Sequence, residues 1–230
     1  KDPYTWDVPV PDYQARLDAD ITGKRIGVVK ELTHGQFAEP EVRNAVSQAA
    51  DSLASLGAQV EEVSIPLASH ANTISSILRV EAPTNYRELI RTRLREINHD
   101  NRIAYLTWSL TPALAYYKAL KLRALLRQQV LEALKTYDVL LMPTMGIAAP
   151  KIEPDPVIDS KENSSRNRAG MTTTFSLASS PALSICCGFT SEDLPIGLQL
   201  GGKPFDEQTI LNVAYAYQQE TDWHTRRPPI

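Results

Sequence analysis

Short apolar runs and helical stripes alternate along this chain. Arg25-Ile26-Gly27-Val28-Val29-Lys30 is a compact apolar run of the kind that forms a strand buried on both faces. Pro40 then fits a first helical turn. Val42, Val46, Ala49, Leu53 and Leu56 recur at intervals of three and four, which places them on one helix face, and Gly57 supplies a left-handed stop. Val60, Val63 and Ile65 return to a strand pattern. Strand, helix and strand in this order predict a βαβ unit with a right-handed crossover, so the sheet is at least partly parallel.

From Leu67 to Leu134 the pattern is helical, with an interruption expected at Pro83 and a restart at Thr111-Pro112, where Thr111 is placed to cap. Leu122, Leu126, Val130 and Leu134 mark the buried face of a long helix. Asp138-Val139-Leu140-Leu141-Met142 reads as a strand stopped by Pro143. Residues 144–166 carry Pro150, Pro154 and Pro156 with few apolar anchors and read as a long surface loop of the kind that often serves function. Two further strands, Leu183–Cys187 and Ile196–Leu200, turn through Asp193 and Pro195, and a helix follows from Asp206 to Gln219. Small residues run from Ser176 to Gly188, from a helix end directly into a strand, which suits either close backbone packing or close approach of a ligand.

The chain has 230 residues, 43% hydrophobic and 22% charged, which is the composition of a folded α/β chain. With 24 basic and 27 acidic residues its net charge of −3 gives no footprint for a nucleic acid or an anionic membrane. No run approaches the ~18 apolar residues of a membrane span, and Lys1-Asp2-Pro3 does not resemble a signal peptide. Cys186 and Cys187 are adjacent, close no useful loop, and fit a reduced, cytoplasmic protein whose thiols sit in the core. The start at Lys1 without an initiating Met suggests a processed product or a fragment of something longer.

No complete catalytic constellation is visible. His34, His70, His99 and His224 are scattered without metal-ligand spacing, so neither metal nor cofactor is expected. There is no G-x-S-x-G elbow, no phosphate loop and no dinucleotide fingerprint. Arg91, Arg93 and Arg95 alternate beside Glu88 and Glu96 and read as a solvated face with weak ion pairs.

An ordered set of motifs nonetheless resembles the C-terminal half of an amidase signature family enzyme, over essentially the whole chain. These motifs are Asp2-Pro3, Gly23-Lys24-Arg25-Ile26-Gly27-Val28, Leu56-Gly57-Ala58 with Val60-Glu61-Glu62-Val63, Tyr116 to Arg123, and Tyr137-Asp138-Val139-Leu140-Leu141-Met142-Pro143-Thr144. Pro181-Ala182-Leu183-Ser184, Gly188-Phe189, Leu194-Pro195-Ile196-Gly197-Leu198-Gln199-Leu200 and Phe205-Asp206-Glu207 complete it. The family usually has Asn where Ser176 stands, Gly where Ser179 stands and Pro where Cys186 stands.

The resemblance implies an α/β fold, a mixed β-sheet covered by helices, with 1–230 as the C-terminal part of an amidase domain. Residues 1–22 would be a lead-in and 144–166 a loop beside the pocket. It implies cleavage of linear carboxamide C–N bonds through an acyl-enzyme, using a Ser-Ser-Lys triad and a backbone oxyanion hole. The family's signature carrying that triad precedes the region covered here, so no catalytic residue is assigned and the chain alone is expected to be inactive. Its expected partner is the missing N-terminal amidase half, with a homodimer or aggregation if strands such as Val139–Met142 or Leu183–Cys187 have lost neighbours. Ala169, Thr173, Thr174 and Ser176 are the expected substrate wall. In amidotransferase A subunits an acidic residue seven positions before the family's Asn binds the ammonium of glutamine. The matching position here is Ala169, between Arg168 and Gly170, so a small neutral amide is expected instead. Two alternatives stand beside this reading: a non-catalytic α/β module that binds a ligand or partner, and a fragment of a glutamyl-tRNA(Gln) amidotransferase A subunit.

Overall fold

In the computed structural model, which describes residues 5–34, 36–150 and 171–227, the first apolar run becomes strand β1 (Arg25–Val29). Lys30 has already left the strand and opens the short helix α1 (Lys30–Thr33). Helix α2 (Pro40–Ser55) has Pro40 at its first turn and buries Val42, Val46, Ala49 and Leu53 as the spacing requires. Gly57, at φ +94°, lets the chain turn back into β2 (Gln59–Val63), which pairs with β1 in parallel. Ile65 lies beyond the strand and is fully buried.

The helical stretch is more broken than its pattern suggests. A 3-10 turn leads into α3 (Ala71–Leu78), followed by α4 (Glu81–Asn85), α5 (Arg87–Thr92), α6 (His99–Trp108) and α7 (Ala113–Thr136). Pro83 does not interrupt a helix. It sits inside α4, near enough to the start that its missing N–H costs no internal bond. Thr111 does not cap α7 either: Pro112 holds the cap position, without a side-chain cap bond. Leu126, Val130 and Leu134 are buried, but Leu122 is exposed and Ala119 takes the inner position one turn earlier.

Strand β3 (Val139–Pro143) is buried throughout and pairs in parallel with β1 on one side and antiparallel with β5 on the other. It has therefore lost no neighbour, contrary to the sequence expectation. Helix α8 (Thr173–Ala178), β4 (Ala182–Phe189), β5 (Pro195–Gly202) and α9 (Glu207–Glu220) complete the fold. The mixed sheet runs β2-β1-β3-β5-β4, leaving β2 and β4 at its edges.

Helices cover both faces of the sheet, and the end of β5 shows why. A methyl group on Gly201 would strike the ring of Phe175 on α8, while one on Gly202 would strike Ile210 on α9. Successive strand residues point to opposite faces, so α8 and α9 lie on opposite sides. Helix α2 joins α9, and α3 and α7 join α8. The single core includes Val46, Leu53, Val139, Leu141, Leu200 and Tyr217. The lead-in is tied to α9 through bonds such as Gln208 Nε2 to the Arg16 carbonyl at 3.0 Å and Asp18 N to Asn212 Oδ1 at 3.3 Å.

Candidate functional site

The small-residue junction is built around a left-handed turn. Helix α8 ends at Ala178, Ser179 takes φ 55°, and the amide of Ser180 donates to the Phe175 carbonyl at 3.1 Å. Two further carbonyls at this helix end are satisfied from α7. Arg123 Nε donates to the Leu177 carbonyl at 3.2 Å, and Arg127 Nη1 donates to that of Ala178. Cations at a helix C-terminus both fill orphan acceptors and oppose the end dipole. Four residues apart on one face of α7, the two guanidinium groups thereby fix the start of β4.

Beside this junction, α3, α4, α7 and α8 enclose an open cleft of about 410 Å³. From α8 it receives Thr173, Ser176 and Leu177; Ser75 and Leu78 come from α3, and Arg123 from α7. Arg79, Glu81 and Tyr86 also line it. Glu81 Oε1 accepts a bond from Tyr116 at 2.9 Å, and that bond to a carboxylate raises the Tyr116 phenol above its ordinary range. The Thr173 hydroxyl donates to Asn72 Oδ1 at 2.7 Å, and Ser176 Oγ returns to the carbonyl of Thr172 at 3.1 Å. Arg123 also lines a second cavity of about 420 Å³, which contains Arg127, Ser179 and the edge-to-face pair Trp6–Phe205.

Of the residues predicted from sequence, Thr173 and Ser176 share the cleft. Thr174 does not line it. Its side chain is fully buried in the core and its hydroxyl has no hydrogen-bond partner among the described residues. Ala169 and the greater part of 144–166 lie outside the described residues. The start of that loop is anchored: Thr144 shares a 2.6 Å hydroxyl contact with Ser184 on β4, and Met171 N donates to the Thr144 carbonyl at 3.2 Å. Arg79, Glu81 and Arg123 were not foreseen. The sequence signal for Arg123 was its position beside the inner row of α7, where a charged residue four from Arg127 needs a partner.

Cys187 is buried, and desolvation pushes its thiol up to about 12, so it stays protonated and unreactive at neutral pH. Cys186 is only half-buried, less enclosed than expected for a core thiol. Among the described residues, no cluster of three His, Cys, Asp or Glu side chains could hold a metal ion, and the Ser176 hydroxyl in the cleft bonds to the Thr172 carbonyl rather than to a lysine or histidine. What the cleft offers is neutral hydroxyls, apolar side chains, two guanidinium groups and the Glu81 carboxylate.

Comparison with known proteins gives this geometry a context. The family model described as Amidase matches residues 1–211. The A subunit of the glutamyl-tRNA(Gln) amidotransferase from Roseiflexus sp. (strain RS-1) is 37% identical over 251 residues, spanning 97% of this chain and 50% of that protein. Its counterpart from Methanosarcina barkeri (strain Fusaro / DSM 804) is 37% identical over 247 residues, with 95% and 50% covered. Among solved structures, the A subunit of the Thermotoga maritima glutamyl-tRNA(Gln) amidotransferase superposes with a TM-score of 0.71 at 26% identity, covering 90% of this chain and 44% of that one. A protein from a vestigial complex related to an s-triazine catabolic enzyme gives 0.80 over 98% of this chain and 49% of its own, and at 24% identity this shows the fold alone. The chain thus spans about half the length of the curated relatives it matches. With the ordered motifs, the mixed sheet and a family match over most of its length, the chain belongs to the amidase family.

Proposed function

We propose that this chain is the C-terminal part of an amidase domain that cleaves linear carboxamide C–N bonds. In this reading it completes the sheet and walls the acyl side of a pocket whose nucleophile, base and oxyanion donors come from the N-terminal half. The observation that carries the reading is the cleft between α3, α4, α7 and α8, with Thr173 and Ser176 on one wall and no serine-lysine pair among the described residues. A half lacking nucleophile and oxyanion donors would lose the whole catalytic term rather than a fraction of it, so the chain alone is proposed to be inactive. The Cys186 and Cys187 thiols fit a cytoplasmic setting.

The substrate is proposed to be a small amide without an α-amino group. Helix α8 presents hydroxyl and apolar side chains and no carboxylate, and the acidic residue of the described cleft, Glu81, is already engaged by Tyr116. A buried ammonium without a carboxylate partner costs several kcal/mol, roughly a thousandfold in affinity. A second reading, that of a glutamyl-tRNA(Gln) amidotransferase A subunit, is favoured by the names of the relatives. The two separate in one experiment on the full-length protein, which compares kcat/KM for a neutral acyl amide with that for glutamine in wild type and in Ala169→Asp. The first reading expects preference for the neutral amide and a gain toward glutamine in the variant. Wild-type preference for glutamine overturns it in favour of the second.

A further inference from the structure

The groove between α3 and α8 does not end at the open cleft. Ser75 and Ser176 line the cleft, and one helical turn before each of them stand Asn72 and Thr173, whose side chains are joined by the 2.7 Å hydrogen bond. At that end of the groove lies a second, more enclosed cavity of about 110 Å³, and Thr173 borders both spaces. Leu32 on α1, Ala68 on the 3-10 turn, Ala71 on α3 and Met171 form its buried apolar lining. Phe37 lines it too, in a segment that is held in place: Glu39 N donates to the Gly146 carbonyl at 2.8 Å, and a methyl group on Gly146 would strike the Phe37 carbonyl. The enclosing walls therefore belong to this chain itself.

The chemistry of this inner cavity is narrow. Among the described residues, no Asp, Glu, Lys, Arg or His lines it. Two of its polar side chains are engaged within the wall, since Ser69 Oγ donates to the Pro66 carbonyl at 2.8 Å and Thr173 donates to Asn72 Oδ1. An occupant would gain contacts with carbon and sulfur atoms but find no counter-ion, so a charged group entering here would lose its hydration without return. An apolar cavity of about 150 Å³ takes up benzene, so one of about 110 Å³ suits roughly three or four carbon atoms.

We propose that this cavity receives the end of the substrate's acyl chain, which passes Thr173 from the cleft, and that Met171 sets how long an unbranched acyl group is accepted. The inference rests on the proposed amide cleavage and adds a substrate class to it, amides of linear aliphatic acids. The test is a kcat/KM series on the full-length protein with primary amides of unbranched acids of increasing length, for wild type, Met171→Ala and Ala71→Val, with the melting temperature of each. In wild type kcat/KM should rise about fourfold per methylene over the last three or four carbons that fit, and fall beyond them. Met171→Ala removes Cγ, Sδ and Cε from the wall and should move the optimum about two carbons longer, while Ala71→Val fills part of the space and should move it about two carbons shorter. Opposite shifts separate a measured chain end from a loss of stability, which would lower kcat/KM for every amide alike. Should Met171→Ala be too unstable to assay, the Ala71→Val shift decides alone. Hydrolysis of neutral amides without regard to chain length, or an optimum that neither variant moves, overturns this inference and leaves the proposed function standing. Hydrolysis of no neutral amide overturns both.

Discussion

Asp138 ties three strands together. It stands just before β3, accepts a bond from the Arg25 amide at 3.0 Å, and meets Lys203 Nζ at 3.4 Å at the end of β5. Partial burial alone would raise its carboxyl, but the Arg25 amide and the Lys203 ammonium together outweigh that and hold it below the ordinary carboxylate range. A carboxyl whose pKa is lower in the folded protein stabilises it above the unfolded value of about 3.9 and loses that contribution as pH falls through the folded value. Asp138→Asn keeps a carbonyl oxygen for the amide and removes the charge. It should therefore lower stability by about 1 kcal/mol at pH 7, with wild type and variant converging below about pH 4. Urea unfolding across that range measures this, and a difference that persists undiminished in acid would mean the carboxylate charge is not the cause.

At the scale of elements, the α8–β4 junction depends on one residue in a conformation that suits it poorly. Ser179 adopts φ 55°, where the Cβ of a non-glycine residue crowds the backbone at a cost of roughly 1 kcal/mol. The side chain of Ser179 is exposed. Ser179→Gly should raise stability by about 0.5–1 kcal/mol, read as a higher melting temperature, and an unchanged or lower value would show that this turn is not under backbone strain. The elements themselves were largely legible in the sequence. The three- and four-residue spacing gave α2, the apolar runs gave β1, β3 and β5, and Gly57 marked the end of a helix. Where the reading failed, local pattern had to yield to tertiary contact. Leu122 and Leu126 fit one helical stripe equally well, and only the packing of α3 and α8 against α7 makes Ala119 the inner residue at the first of these turns. Thr174 and Thr173 are chemically alike, but neighbours on a helix point about 100° apart, and with Phe175 packed over Gly201 one enters the core and the other the cleft. Arg79, at the end of α3, and Glu81, on α4, reach that cleft from more than forty positions before Arg123, a meeting no local spacing could reveal.

At the scale of the whole molecule, the two sheet edges differ. Edge strand β2 is short and carries Glu61 and Glu62, charges that discourage pairing with another chain. Edge strand β4 spans eight residues, Ala182–Phe189, without a charged side chain, and its guard is a bulge between Cys186 and Gly188. Its partner β5 covers one side, and among the described residues nothing pairs with the other. An uncharged edge of this length is a template for strand addition, by another part of the same protein or by another copy. The isolated 230-residue chain should therefore associate in a concentration-dependent way and bind a hydrophobic dye, as measured by gel filtration with light scattering and by dye fluorescence. Ala182→Lys places a charge at an exposed position on this edge and should shift the distribution toward monomer by at least several-fold in apparent dissociation constant. The contribution of the exposed leucines at and just before the start of α7 can be separated by Leu110→Asp with Leu114→Asp, which leaves β4 untouched. A chain that stays monomeric at high concentration, binds no dye and unfolds in one sharp transition would show that β4 needs no partner and would favour a self-standing module over half of an amidase domain.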